Sequence, residues 1–364
     1  MKTVAILPVV YINYIRRDNN MSKVLNILFK KAVALVISFG ISLGLLSSFA
    51  ADTDLSFRSL VVREGLRAVV QTVDREGGGA IFGKMAGKIS TIPSVYIPSP
   101  GYKYEKVQLE NCTAEVLTKK NSKNSNKVVF QIHGGAFLFG MMDLYRWQAE
   151  KWSRYCDGAT VVMIDYRLAP ETVFPGALED VLDCWDWIME SGYKAEDVIV
   201  VGDSAGGNLT LELILNLRDA KRELPCAAIT MSPWADLASE SESYKTNVHK
   251  DPMFGYRESV DKELDVEDIV RIYAGDADLH DPKLSPMYAE FDGFCPTLIQ
   301  VGTAEVLYSE SLTVAEKMEK AGVDVTLTEY SGMWHVFQLF GDFLPEGKAA
   351  WDEAGAYAAE HLLG

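Results

Sequence analysis

Between residues 128 and 330, short apolar runs rich in β-branched residues alternate with longer stretches in which apolar positions recur every three or four residues. The runs Val128–His133, Ala159–Asp165, Val198–Asp203, Ala227–Ser232, Thr297–Gly302 and Val323–Tyr330 read as strands. Segments near 143–156, 176–191, 205–219, 308–321 and 349–362 read as helices. Strand–helix alternation of this kind buries strands on both faces and predicts an α/β fold around a mostly parallel sheet. Upstream, Leu60, Val61, Leu66, Val69, Val70 and Val73 recur at helical spacing and predict an amphipathic helix over 55–76, ended by Gly77-Gly78-Gly79. A Pro/Ser/Gly-rich stretch from Pro93 to Gly101 leads into the main body, and Asn121–Asn126 reads as a polar hairpin loop. The interval 236–290 breaks the rhythm. It is acidic, helical in pattern and without a clear strand, and is expected to lie as an insert over the C-terminal edge of the sheet.

Of 364 residues, 48% are hydrophobic and 24% charged, which excludes a disordered chain and a multi-span membrane protein. The formal charge is −16, and the first 50 residues hold six basic residues and one acid, which leaves −21 on residues 51–364. A body so acidic repels phosphate backbones, so nucleic acid is not an expected partner.

Residues 32–46 are apolar and uncharged, follow Lys30-Lys31, and give way to Ser48-Phe49-Ala50-Ala51 and then Asp52. This is the layout of a secretory signal over residues 1–50, with Met21 as the expected initiator. The competing reading is an uncleaved anchor over Leu25–Leu46, against which the two lysines inside that stretch count. Export to the periplasm or beyond is the expectation, with membrane contact only through that anchor. The five cysteines form no CxxC pair and are expected to be buried thiols; no zinc spacing is present.

Gly202-Asp203-Ser204-Ala205-Gly206 follows the apolar run Val198–Val201 and precedes a helical segment, so it fits G-x-S-x-G where a strand turns sharply into a helix. A serine on such a turn needs glycine at ±2 so that backbones can approach. The Ala205 N–H then faces the oxygen that becomes negative. His133-Gly134-Gly135-Ala136 closes an earlier strand and reads as a loop offering oxyanion-hole N–H groups, with His133 structural. Of five histidines, His335 in Gly332–Phe337 follows the last strand, the usual place for the base. Glu305 follows the strand before it and is the expected acid, with Glu310 as fallback. Asp276–Asp281 lacks the glycine and spaced acids of a calcium loop and reads as a solvated turn. Trp334, Phe337, Phe137 and Phe139 are candidates for a substrate pocket and equally for core packing.

Together HGGA, Asp165-Tyr-Arg-Leu-Ala-Pro-Glu171, GDSAGGN, Ser232-Pro-Trp-Ala-Asp236 and GMWHVF resemble the bacterial carboxylesterases related to hormone-sensitive lipase. The resemblance implies an α/β-hydrolase catalytic domain over 106–364, capped by the 51–105 region and the 236–290 insert. It implies cofactor-free, metal-free hydrolysis of small-molecule esters with short acyl groups, the rivals being an amidase or lactonase with the same triad and a non-catalytic ligand-binding α/β-hydrolase; a homodimer is allowed. Carried over, Ser204 is nucleophile, His335 base and Glu305 acid, and Gly135, Ala136 and Ala205 supply the oxyanion hole with Gly134 in the same loop. The chain departs from the pattern at Met141, Met142 and Tyr145, where small polar residues and a histidine are expected, which puts the pocket's shape in question. It departs again at Ser309, where an acid is usual. DYRLAPE is expected to be a structural turn locked by Asp165 and Arg167.

Overall fold

The computed structural model describes residues 55–73, 94–255 and 266–364; the expected signal region, the glycine triplet, the expected helix end at 74–76 and part of the insert lie outside the described residues. Among these, β1 (Tyr102–Gln108), β2 (Thr113–Lys119), β3 (Val128–Ile132), β4 (Thr160–Asp165), β5 (Val198–Asp203), β6 (Ala227–Met231), β7 (Thr297–Gly302) and β8 (Val325–Tyr330) form one sheet. Its order is β1-β2-β4-β3-β5-β6-β7-β8. Pairing is parallel from β4 through β8, and β2 runs antiparallel to both its neighbours. The helices are α1 (Phe57–Val73), α2 (Asp143–Tyr155), α3 (Gly176–Glu190), α4 (Ala205–Asp219), α5 (Ser243–Thr246), α6 (Glu267–Ala274), α7 (Tyr308–Lys320) and α8 (Pro345–Leu363).

The apolar runs are explained by burial on both sides. Val128, Phe130 and Ile132 of β3 pack with Val181, Trp185 and Ile188 of α3 and Leu209, Leu213 and Leu217 of α4. Val129, Val161, Met163, Ile199 and Val201 turn to the other face, against Trp152 of α2 and Trp351, Ala354 and Ala358 of α8. Trp152 and Trp351 meet at 4.8 Å between centroids, and each buried indole is worth about 4–6 kcal/mol of transfer free energy. A second patch joins Leu211, Ile214 and Leu215 of α4 to Val314, Ala315 and Met318 of α7.

Two expectations are corrected. The hairpin expected over 121–126 is a crossover, because β2 and β3 both pair with β4, which lies between them. Nor do Asp165 and Arg167 lock one turn together. Asp165 Oδ1 accepts the Met141 N–H at 3.2 Å, while Arg167 binds Asp180 of α3 through its own N–H at 2.7 Å and its guanidinium at 2.7 Å. The cysteines are free thiols, four buried and Cys226 half-buried. No helix among the described residues is long and apolar enough to cross a membrane.

The chain moves from β3 outward to β4 and then returns to place β5 on the other side of β3. Loops leaving β3 and β5 therefore diverge, which opens a crevice at the C-terminal ends of those strands. The HGGA and GDSAG segments both lie there.

Candidate active site

Ser204 joins β5 to α4 with φ 53° and ψ −121°, a conformation that costs a non-glycine residue about 1–3 kcal/mol. The turn is held from both sides. Ser204 N–H donates to Met231 O at 3.0 Å, and Ser204 O accepts the N–H groups of Asn208 and Trp234, both at 3.0 Å. The flanking glycines are needed for space: a Cβ on Gly202 would meet Gly206 O at 2.3 Å, and one on Gly206 would meet Ile132 O at 2.2 Å.

Ser204 Oγ lies 2.9 Å from His335 Nε2, and His335 Nδ1 lies 2.8 Å from Glu305 Oε2. An ionised carboxylate only accepts, so Nδ1 carries the proton and Nε2 is free to take one from the serine. Glu305 is fully buried, and its other oxygen accepts the Gly302 N–H at 2.6 Å and the Ser232 hydroxyl at 2.8 Å. The loop bearing His335 is pressed on the end of β7, where a Cβ on Gly302 would meet Met333 O at 2.3 Å. Glu310, the fallback acid, is turned away. Its Oε1 accepts the N–H groups of Ala235 and Asp236, at 2.6 and 3.2 Å, and burial pushes its carboxyl well above the usual range.

The oxyanion-hole candidates divide. Gly134 N–H already has protein acceptors, lying 3.1 Å from the Tyr145 hydroxyl and 3.2 Å from Asp203 Oδ1. The N–H groups of Gly135, Ala136 and Ala205 bond no protein acceptor among the described residues. Gly135 has φ 121° and Ala136 φ 55°, so the loop is held in a left-handed bend. A Cβ on Gly134 would meet Asp203 Oδ2 at 2.5 Å, which shows how tightly the loop lies on the serine turn. His133 stacks on Tyr166 at 4.2 Å and bonds Gly134 O at 2.8 Å; burial holds it below its usual pKa.

Several residues that tie the site together have no catalytic role assigned to them by the sequence. Ser232 Oγ donates to Glu305 and accepts the Val336 N–H at 3.1 Å, bridging acid and base loops. Asn247 Nδ2 donates to Glu305 O at 2.9 Å and Thr303 O at 3.1 Å. Asp251, its carboxyl raised by burial, accepts the Val306 N–H at 3.0 Å, and nearby Phe254 packs on the His335 ring at 4.8 Å. Ser309, one of the departures, exchanges hydrogen bonds with Ser243 of α5. Tyr145, another, is buried beneath the loop with its hydroxyl on Asp203. Trp334 and Phe337 are fully buried with Leu55, Met333 and Leu344, and Phe137 stacks on Tyr273 at 3.7 Å.

A family model described as an alpha/beta hydrolase fold matches residues 129–339. An esterase of Acinetobacter venetianus is 35% identical over 240 residues, covering 66% of this chain and 77% of that protein. An acetyl-hydrolase of Streptomyces hygroscopicus is 34% identical over 254 residues, covering 69% of this chain and 81% of its own length. Among solved structures, an esterase of the bacterial hormone-sensitive lipase family superposes with a TM-score of 0.69 at 28% identity, covering 82% of this chain and 98% of that one. The chain belongs to the α/β-hydrolase family, among its bacterial esterases related to hormone-sensitive lipase.

Proposed function

We propose that this chain is a serine carboxylesterase that hydrolyses short-chain acyl esters through an acyl-enzyme. The observation that carries the reading is the hydrogen-bonded relay from Ser204 Oγ through His335 to Glu305, at 2.9 and 2.8 Å, mounted on a strained turn. His335 Nε2 takes the serine proton as Oγ attacks the ester carbonyl, then returns it to the departing alkoxide. Glu305 holds the imidazole tautomer and stabilises the imidazolium. The developing oxyanion is met by the N–H groups of Gly135, Ala136 and Ala205. Water, activated by His335, then releases the carboxylic acid. No step in this sequence calls for a cofactor.

The short-acyl preference rests on two supports. One relative is named an acetyl-hydrolase. The N-terminal helix and the insert also meet, with Arg67 donating to Lys250 O at 2.8 Å and Phe254 packed on His335, as expected of a roof over the serine. Activity on p-nitrophenyl esters from acetate to palmitate should peak at roughly two to eight carbons, fall in Ser204→Ala by several orders of magnitude, and exceed that on a p-nitroanilide. Interfacial activation on emulsified long-chain triglyceride, or faster anilide than ester cleavage, would overturn it. On the pattern of residues 30–52 the protein is further proposed to be exported; an unprocessed chain in the cytoplasmic fraction contradicts that.

A further inference from the structure

We propose that Tyr145 is a positioning residue for ester hydrolysis: its buried hydroxyl, set between the Gly134 amide and the Asp203 carboxylate, clamps the oxyanion loop to the nucleophile turn. The proposal rests on the reading of residues 134–136 and Ser204 given above.

The geometry is a closed triangle. The Tyr145 hydroxyl accepts from Gly134 N at 3.1 Å and donates to Asp203 Oδ2 at 3.1 Å, while Gly134 N also donates to Asp203 Oδ1 at 3.2 Å. Asp203 immediately precedes the nucleophile, and Gly134 immediately precedes the two loop donors. One phenol therefore fixes both halves of the site relative to each other. The phenol is itself immobilised. Gln131 Nε2 donates to Tyr145 O at 3.3 Å, and the next residue, Arg146, forks onto the buried Glu115 of β2 with both bonds at 2.6 Å. The first turn of α2 therefore cannot slide.

The same hydroxyl acts on charge. Burial pushes the Asp203 carboxyl up to about 6, and its bonds from Tyr145 and Gly134 and the proximity of His335 pull the other way. The titratable groups around it are Tyr145 of α2, Tyr166 after β4, and His335 after β8, with His133 stacked on Tyr166 and donating no bond to Asp203. Loss of the phenolic donor leaves Asp203 easier to protonate, and its negative charge favours the imidazolium that forms on His335 in the transition state.

Tyr145→Phe removes only the hydroxyl. With kcat expressed per site titrated by a fluorophosphonate, so that misfolded protein does not count, Tyr145→Phe is expected to lose roughly tenfold in kcat, a fraction of what deleting an oxyanion donor costs. KM should stay within twofold, and the acid limb of the kcat profile should move to higher pH. Asp203→Asn should also lose activity, and the double variant should lose less than the product of the two. A Tyr145→Phe enzyme with kcat within twofold of the parent and an unmoved acid limb, or strictly multiplicative losses, would overturn the proposal. Failure of the parent enzyme to titrate or to hydrolyse esters would instead strike the function proposed above.

Discussion

Replacing Glu305 with Gln changes one atom in a site whose hydrogen bonds leave the amide little choice of orientation. Oε1 receives two donors. The Gly302 N–H at 2.6 Å can only donate, which by itself disfavours an NH2 group there, and the Ser232 hydroxyl donates at 2.8 Å while its oxygen accepts the Val336 N–H. An NH2 group placed there would face two donors, so the amide oxygen takes Oε1 and the NH2 takes Oε2, against His335 Nδ1. Nδ1 must then accept, the ring proton moves to Nε2, and the base can no longer receive the Ser204 proton. Losses of order 10⁴ in kcat follow from the wrong tautomer in comparable triads, about 5.5 kcal/mol of barrier. Initial rates on p-nitrophenyl butyrate at saturating ester, with circular dichroism to show an unchanged fold, measure it. Glu310→Gln is the control: its Oε1 accepts the Ala235 and Asp236 N–H groups, which an amide oxygen can also do, and its burial favours the neutral acid, so kcat should stay within about threefold. If Glu305→Gln retains activity within tenfold, or Glu310→Gln is the damaging change, the assignment of the acid is wrong.

Ser232→Ala strips one bond from Glu305 and orphans the buried Val336 N–H, so it should cost about 1–3 kcal/mol of stability and lower kcat, both readable from a melting curve and the same assay. Gly206→Ala drives a Cβ to 2.2 Å from Ile132 O, and expression should yield little soluble, active enzyme. Activity should fall as pH drops through about 6, where Asp203 gains a proton. Because burial raises this carboxyl above its unfolded value of about 3.9, its cost to stability is present above pH 6 and fades as pH falls toward 4, opposite in sign to the activity change. Melting curves should show that part of the pH dependence vanish in Asp203→Asn.

The sequence makes legible whatever is buried on both faces or is set by local order along the chain. Five of the six parallel strands announce themselves because Val128–Ile132 and its counterparts carry no polar alternation, whereas β8 at the far edge, VTLTEY, alternates and is only half-buried. β1 is different. Tyr102–Gln108 is a largely exposed edge strand reading YKYEKVQ, and an edge that buries so little leaves no apolar run to detect. The triad candidates follow from chain order and turn chemistry, since each stands just after a strand. Their supports do not. Ser232 meets partners 73 and 104 residues away, and Arg167 meets Asp180 on the following helix, not the nearer Asp165. The bonds of Tyr145 to Gly134 and Asp203 are likewise invisible in the sequence, because spacing alone does not tell which side of the oxyanion loop a helical residue faces.

Hydrolysis through Ser204 and His335 requires a covalent intermediate on the serine, and trapping that intermediate tests the chemistry outright. Enzyme mixed with excess p-nitrophenyl butyrate and quenched in acid within the first turnover should carry one butyryl group. Peptide mass spectrometry should place that group on Ser204, at a stoichiometry matching the burst of p-nitrophenol. Butyryl on another residue, or full turnover with Ser204 unmodified at every quench time, would contradict the account.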